Sequence, residues 1–503
     1  MEILSAEQIR AWDEYTMEHE PIASIDLMER AAARCHSWLE KNGYTGRQFA
    51  IYCGKGNNGG DGLALARLLS EADCAVTVHI LEFGFKGTDD FQVNLARLHQ
   101  TSVEVRFIQG TDNFHPVGSG DIVVDALLGS GLNRKLEGVA AALVDHLNGS
   151  GNEIVAIDIP SGLFVSRSSR GNTVIRATHT LTFQCFKPAF LMPENAALAG
   201  SVHILDIGLH PGYLQQVSGE AELLDPDMIR AIYRPRPPFA NKGNFGHALL
   251  IAGSYGKMGA AVLGARACLR SGAGLLSCHI PVCGYPILQT AVPEAMVFVD
   301  VDDRIHTALE GDLSGYSVVG VGPGIGTEGR TVEFLRDLLH RCRKPMVLDA
   351  DALNILSSSA DLWELVPPYS ILTPHPKEFE RLFGRSADDY ERVEKARNQA
   401  RERRCIIVLK GHYSFIAMPG GKGYFNSTGN AGMAKGGSGD VLTGILTGML
   451  SQGYSPGEAA LLGVYLHGLA GDLAASTWSQ ESMLASDLTD HLGKAYMQVQ
   501  KAG

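Results

Sequence analysis

No two of the nine cysteines are spaced C-x-x-C, and their number is odd. Several of them sit inside apolar runs. A disulfide framework is therefore not expected, and reduced, buried thiols in a cytoplasmic protein are. The first twenty residues are acidic where a secretory leader needs basic and then apolar residues, which points to the same compartment. Long apolar runs are lacking too. None approaches the roughly 20 residues of a membrane span, and the nearest, 459–475, contains His467 and Asp472. Positive charge is in deficit, with 43 Lys and Arg against 55 Asp and Glu and no long block of either sign. Neither nucleic acid nor a membrane is expected as a partner. What is present, 45% apolar and 19% charged residues, suits a soluble globular protein, and 503 residues are too many for one core.

Short β-branched runs alternate with helical patterns along the whole chain. Candidate strands are 48–53, 75–81, 121–126, 153–159, 179–183 and 203–207, then 247–252, 275–280, 317–321, 346–349, 371–373 and 406–409. Apolar residues at helical spacing fill 63–69, 260–271 and 441–452. This alternation predicts an α/β protein with mostly parallel sheets, in two domains. The seam falls between Gly212 and Phe245, a stretch that includes the proline-rich segment 233–239. We place the domains at 1–218 and 219–503. Ligands of open α/β sheets sit beyond the carboxyl ends of strands, and the polar motifs follow candidate strands.

In the first half, Asn57-Asn-Gly-Gly-Asp-Gly62 follows a strand and precedes a helix. Its glycines permit close ligand approach, its amides donate and accept, and Asp61 is placed to cap the helix. Asp125-Ala-Leu-Leu-Gly-Ser-Gly-Leu-Asn-Arg-Lys135 carries glycines and two cations suited to phosphate. Asp158-Ile-Pro-Ser-Gly162 puts a carboxylate at a strand end. Each aspartate alone reads as a cap or anchor. Together the three motifs read as a shared oxygen-rich pocket, where Asn58, Asp125 and the Ser161 region can supply oxygens to a hard cation.

These motifs resemble the epimerase domain of NAD(P)H-hydrate repair enzymes, over roughly 1–212. The resemblance implies a Rossmann-like three-layer αβα domain. It implies that Asn57, Asn58, Gly59, Gly60, Asp61, Gly129, Ser130, Gly131, Leu132, Asn133, Arg134 and Lys135 contact the hydrated dinucleotide, that Asp158 lies at the reacting ring, and that Asn58, Asp125 and Ser161 hold a potassium ion. Some relatives carry another carboxylate soon after the Asp-Ile-Pro-Ser-Gly turn, where this chain has Phe164-Val-Ser166.

In the second half, Gly436-Gly-Ser-Gly-Asp440 opens a helical pattern. Bare amides at a helix N-terminus attract phosphate oxygens. A carboxylate in that seat needs a task, either deprotonating a hydroxyl that attacks phosphorus or holding a metal. Other strand-end segments accompany it: Gly253-Ser-Tyr-Gly-Lys-Met-Gly-Ala-Ala261, which is not a Walker A loop, then 322–326, 349–354, 373–382 and Lys410-Gly-His-Tyr-Ser414. His375 and Glu378 lack the H-E-x-x-H pattern and have no cysteines nearby, so zinc is not expected there.

This set resembles the ribokinase-like superfamily and, within it, the ADP-dependent NAD(P)H-hydrate dehydratases, from about 222 onward. The resemblance implies a ribokinase-like αβα domain. Lys410, Gly411, His412, Tyr413, Ser414 and Gly439 would bind the nucleotide; Ala260, Gly324, His375 and Asp440 would contact hydrated NADH or NADPH. ADP is implied as co-substrate, with Mg2+. Two other readings stay open at this stage: a small-alcohol kinase of the vitamin-precursor type, and a first half acting as a non-catalytic sensor. A homo-oligomer is expected.

Overall fold

The computed structural model describes residues 1–82, 84 and 86–501. They form two compact units, one of Glu2–Glu220 with Asp388–Tyr390, the other of Met1, Ala221–Ala387 and Glu391–Gly503, of which 502 and 503 are not described.

The first unit is built on a seven-stranded sheet. Its order is Glu104–Ile108, Ala75–Leu81, Gln48–Cys53, Ile122–Ala126, Ile154–Ile157, His179–Phe183 and Ser201–Leu205, with every pairing parallel. Alternate residues face opposite layers. Phe49, Ile51 and Cys53 pack with Leu39, Leu63 and Leu69 of the helices Ser24–Lys41 and Asn57–Glu71. Ala50 and Tyr52 pack with Leu143 and Val144 of Gly138–Asn148 on the other face. The result is a three-layer αβα sandwich. After Gln48–Cys53 the chain builds outward to Glu104–Ile108, then returns to the other side of Gln48–Cys53. The crevice at that reversal is where such sheets bind ligands.

In the second unit the strands run in the order Ala221–Leu223, Gly423–Phe425, Phe415–Ala417, Ile406–Leu409, Ile371–Leu372, Val347–Leu348, Val318–Val321, His247–Ile251, Leu275–Ile280 and Met296–Val299. From Ile406–Leu409 to Met296–Val299 every pairing is parallel. Phe415–Ala417 is antiparallel to both of its neighbours. The helices Met258–Arg270 and Ser438–Ser451 cross where glycines meet: a Cβ on Gly444 would lie 2.1 Å from the Gly264 carbonyl oxygen. Helix Pro456–Trp478 is long and apolar enough to cross a membrane by length and composition, a run the sequence reading had ended at 459–475. Its most apolar window is 72% buried in the fold, which makes it a core helix here.

Several elements differ from expectation. The helix after Gln48–Cys53 begins at Asn57 with Gly56 as its N-cap. The Asn-Asn-Gly-Gly-Asp-Gly motif is therefore its first turns rather than a preceding loop, and Asp61 lies inside the helix instead of capping it. The strands Glu104–Ile108 and Met296–Val299 escape a search for apolar runs because they are sheet edges. Their outward residues face water: Glu104 and Arg106 pair with each other, and Phe298 is 50% exposed.

Candidate functional site

In the first unit, a crevice of about 490 Å³ lies over the sheet reversal. Of the residues singled out by sequence, it is lined by Asn57, Asn58, Asp61, Gly129, Ser130, Gly131, Leu132, Asn133, Arg134 and Asp158. Three of the expected dinucleotide contacts are elsewhere. A Cβ on Gly59 would lie 1.8 Å from the Gly54 carbonyl oxygen, and one on Gly60 2.6 Å from Met28 Sδ, so both are close-packing positions. The Lys135 ammonium donates to the Gly171 carbonyl at 3.4 Å, outside the crevice.

Asp158 ends the strand Ile154–Ile157 with φ of 66°, a conformation costly for a residue with a side chain. Its N–H donates to the Leu181 carbonyl at 2.8 Å, holding that turn against the neighbouring strand. Its carboxylate accepts from Lys187 Nζ at 2.7 Å. Lys187 went unnoticed in the sequence, where Phe186-Lys-Pro188 resembles an ordinary loop. Asp13, from the helix Ala6–His19, was missed as well; burial, then the charge of Asp158, pushes its carboxyl up to about 7. The same two causes hold Asp61 well above the usual carboxylate range. No local sequence signal marks Asp13, which reaches the crevice from a helix far away in the chain.

Behind the crevice, Asp125 is wholly buried. It accepts from Ser161 N at 2.7 Å, Ser161 Oγ at 2.6 Å and Leu127 N at 3.2 Å. Ser161 Oγ in turn accepts from Leu128 N at 2.9 Å, tying the two loops together. Burial pushes Asp125 up to about 6 against those bonds. Asn58 is 7% exposed, and neither its amide oxygen nor its nitrogen has a hydrogen-bond partner among the described residues. An orphaned buried amide beside an oxygen-rich loop pair fits a hard cation such as potassium.

In the second unit, the helix Ser438–Ser451 starts after Gly437, whose φ is 98°. Asp440 stands in its first turn, and burial, then the charge of Asp349, pushes its carboxyl up to about 6. Lys410 Nζ donates to Asp349 Oδ1 at 2.9 Å, and Thr443 Oγ1 donates to Asp349 Oδ2 at 2.8 Å. A Cβ on Gly439 would meet Lys410 Nζ at 3.4 Å, so the ammonium lies beside the glycine turn. His467, from the core helix, donates from Nε2 to the Ser438 carbonyl at 2.9 Å; burial lowers it to about 4, which keeps it neutral.

The remaining predicted residues border the same strand ends. Gly324 and Ala260 touch: a Cβ on Gly324 would lie 3.3 Å from the Ala260 Cβ. His375 caps the helix Pro376–Phe383, its Nδ1 accepting from Lys377 N and Glu378 N at 3.1 and 3.2 Å, while Glu378 accepts from His375 N at 2.8 Å. Glu378 and Lys410 are 3.9 Å apart, which links His375 to the glycine turn. Gly411, His412, Tyr413 and Ser414 form the hairpin between Ile406–Leu409 and Phe415–Ala417, with His412 exposed. Asp349 is engaged by Lys410 and Thr443, and Asp351 by Gly326 N at 2.9 Å and Lys257 at 3.3 Å. Magnesium fits here as an ion carried on nucleotide phosphates rather than in a protein cage. Away from the turn, His279, Asp300 and His306 form a buried cluster. His306 donates to the Gly253 carbonyl at 2.7 Å, and Asp300 accepts from Thr307 and Ala308, so the cluster braces the loop that leads to Ala260.

A family model described as YjeF-related protein N-terminus matches residues 24–189, and one described as NAD(P)H-hydrate dehydratase matches residues 248–494. The bifunctional NAD(P)H-hydrate repair enzyme of Moorella thermoacetica is 36% identical over 98% of this chain and 96% of its own length. That of Escherichia coli K12 is 33% identical over 96% and 92%. Among solved structures, a ribokinase-like superfamily protein from Enterococcus faecalis is 28% identical, covers 56% of this chain and 96% of its own, and superposes with a TM-score of 0.50. The ADP/ATP-dependent NAD(P)H-hydrate dehydratase from Bacillus subtilis, co-crystallized with ATP/Mg2+, is 32% identical over 55% and 98%, with a TM-score of 0.48. The chain belongs to the family of bifunctional NAD(P)H-hydrate repair enzymes.

Proposed function

We propose that this chain restores hydrated NADH and NADPH through two activities, an epimerase in residues 1–218 and an ADP-dependent dehydratase in residues 219–503. The observation that carries the reading is the pairing of a glycine helix N-terminus with Asp440, with Lys410 beside the turn. That arrangement both seats a phosphate and removes a proton. The alternative of a small-alcohol kinase leaves the fused first unit unexplained.

In the dehydratase, Asp440 takes the proton of the C6 hydroxyl of the S hydrate. The freed oxygen attacks the terminal phosphorus of ADP, AMP departs, and the amides of Gly437, Ser438 and Gly439 offset the charge that develops. The ring-nitrogen lone pair then expels phosphate from C6, and loss of the C5 proton restores the double bond. Lys410 and the hairpin residues Gly411, His412, Tyr413 and Ser414 hold the nucleotide, and Ala260, Gly324 and His375 face the hydrated ring. Magnesium bound with the nucleotide would screen its phosphates.

In the epimerase, Asp158 moves a proton during reversible opening at C6, while Asn57, Asp61 and residues 129–134 hold the dinucleotide. Asn58, Asp125 and Ser161 would hold a potassium ion that fixes the two loops in place. Nine free cysteines favour a reducing cytoplasm. The exposed edge strand Met296–Val299, with Phe298 and Val299 50% and 45% accessible, favours assembly into a homo-oligomer.

The test is to supply hydrated NADH epimers and follow the return of dihydronicotinamide absorbance with ADP, ATP or no nucleotide. Full recovery with ADP is expected. Recovery independent of nucleotide defeats the dehydratase, and recovery that stops at the S fraction defeats the epimerase.

A further inference from the structure

Lys187 is the most deeply buried cation of the first unit. Its side chain has no exposure, and its ammonium has two hydrogen-bonded oxygen partners, Asp158 Oδ1 at 2.7 Å and Thr182 Oγ1 at 2.6 Å. An isolated ammonium in such a place costs several kcal/mol, and removing one partner of a buried pair is strongly destabilising. Lys187 therefore belongs with Asp158. Thr182 lies in the strand next to Ile154–Ile157, His179–Phe183, and Lys187 in the loop that follows it. The ammonium thus reaches Asp158 from behind, while the carboxylate borders the crevice.

We propose that Lys187 is a positioning residue of the epimerase: it fixes the rotamer of Asp158 by holding Oδ1, leaves Oδ2 directed at the substrate ring, and supplies the positive charge against which the carboxylate works. The proposal rests on Asp158 acting as proposed above. Other titratable groups face this pair and must be separated from it. They are Asp13 from Ala6–His19, Asp61 from Asn57–Glu71, Cys35 from Ser24–Lys41, and Cys185 on the same loop.

The experiment compares Lys187→Met and Lys187→Arg with the unaltered protein, following R-to-S exchange of hydrated NADPH as a function of pH. The melting transition of the first unit, followed by circular dichroism in the same samples, reports that this unit is folded, and S dehydration reports the same of the second. Loss of the ammonium should slow exchange at pH 7 by roughly 10²-fold or more and move the acid limb of the profile to higher pH, because an opposite charge near a carboxylate favours its ionised form. The limb should stay moved in Lys187→Met combined with Asp13→Asn, and Lys187→Arg should recover much of the rate. A Lys187→Met protein with an unmoved acid limb, or one whose loss Arg does not relieve, overturns the role of Lys187 even if the rate has dropped. Asp158→Ala serves as the reference. Unchanged exchange in that variant overturns the assignment of Asp158, and the role of Lys187 falls with it. Thr182→Val, which takes away only the second partner, should keep the acid limb in place; a shift as large as that of Lys187→Met overturns the proposal.

Discussion

The two units place an aspartate at a strand or helix terminus and surround it in opposite ways. Asp158 meets a buried ammonium directly, at 2.7 Å. Asp440 has its nearest cation, Lys410, occupied by another carboxylate, Asp349, at 2.9 Å. The first aspartate is held in place by a fixed partner. The second is left next to a like charge and pushed up to about 6, towards the pH at which it must work. The difference matches the chemistry proposed for each. A group that passes a proton back and forth in an isomerisation benefits from a defined position. A base that deprotonates an alcohol gains driving force as its proton affinity rises towards ambient pH.

The strongest test of this comparison is to break each site and look for damage in the other. Asp440→Asn should reduce ADP-dependent dehydration by roughly 10²- to 10⁴-fold and leave R-to-S exchange unchanged. Asp158→Ala should do the reverse, restoring absorbance only up to the S fraction of the mixture. Chiral chromatography of the residual hydrate reads both outcomes, and coupled losses in either variant contradict two independent sites.

A smaller effect distinguishes the two lysines. Lys410→Met should weaken nucleotide binding by one to two orders of magnitude, the size of a lost charge-assisted contact, with most of the change in KM for ADP. Lys187 has no such role, and its replacement should leave KM for ADP as it was. Titration calorimetry with AMP measures the same contrast without turnover.

Sequence reading reached the glycine turn, the strand-end aspartates and most crevice residues because each motif follows its strand directly. It reached neither Lys187 nor Asp13. Their importance comes from tertiary placement, and Phe186-Lys-Pro188 carries no spacing signal. The edge strands were missed for a physical reason: half-exposed edges dilute the apolar pattern on which recognition rests. Asn57 was misplaced because a glycine-rich segment reads as a loop, although here the helix dipole begins at that asparagine. At Gly59 and Gly60 the absence of a side chain also serves packing, against Gly54 and Met28.

The pH dependence of dehydration sharpens the contrast further. Asp440 acts when ionised and is held up to about 6, so the initial rate should fall about tenfold per unit below pH 6 and level above it. Burial is the main cause and the charge of Asp349 the next. Asp349→Asn should therefore move the limb to lower pH, by removing a like charge and freeing Lys410. An ADP-free blank at each pH removes spontaneous loss of the hydrate. A limb that stays near 6 in Asp349→Asn leaves burial as the whole cause.

The smallest expected effect concerns the cation, and it separates the units without any catalysis. A ligand that binds only the folded state stabilises it by about 2.7 kcal/mol at a concentration 100 times its Kd. Replacing choline by potassium at constant ionic strength should then raise the melting transition of the first unit by a few degrees and leave that of the second in place. Sodium, smaller than the ion proposed, should give less. Asn58→Leu fills the space of the amide with no oxygen donor and removes a buried polar group that lacks a partner. In choline this variant should melt as high as the unaltered protein or higher, since no hydrogen bond is lost. In potassium it should show no further rise. A potassium response that survives Asn58→Leu places the ion elsewhere and leaves the orphaned amide of Asn58 as a contact for the dinucleotide itself.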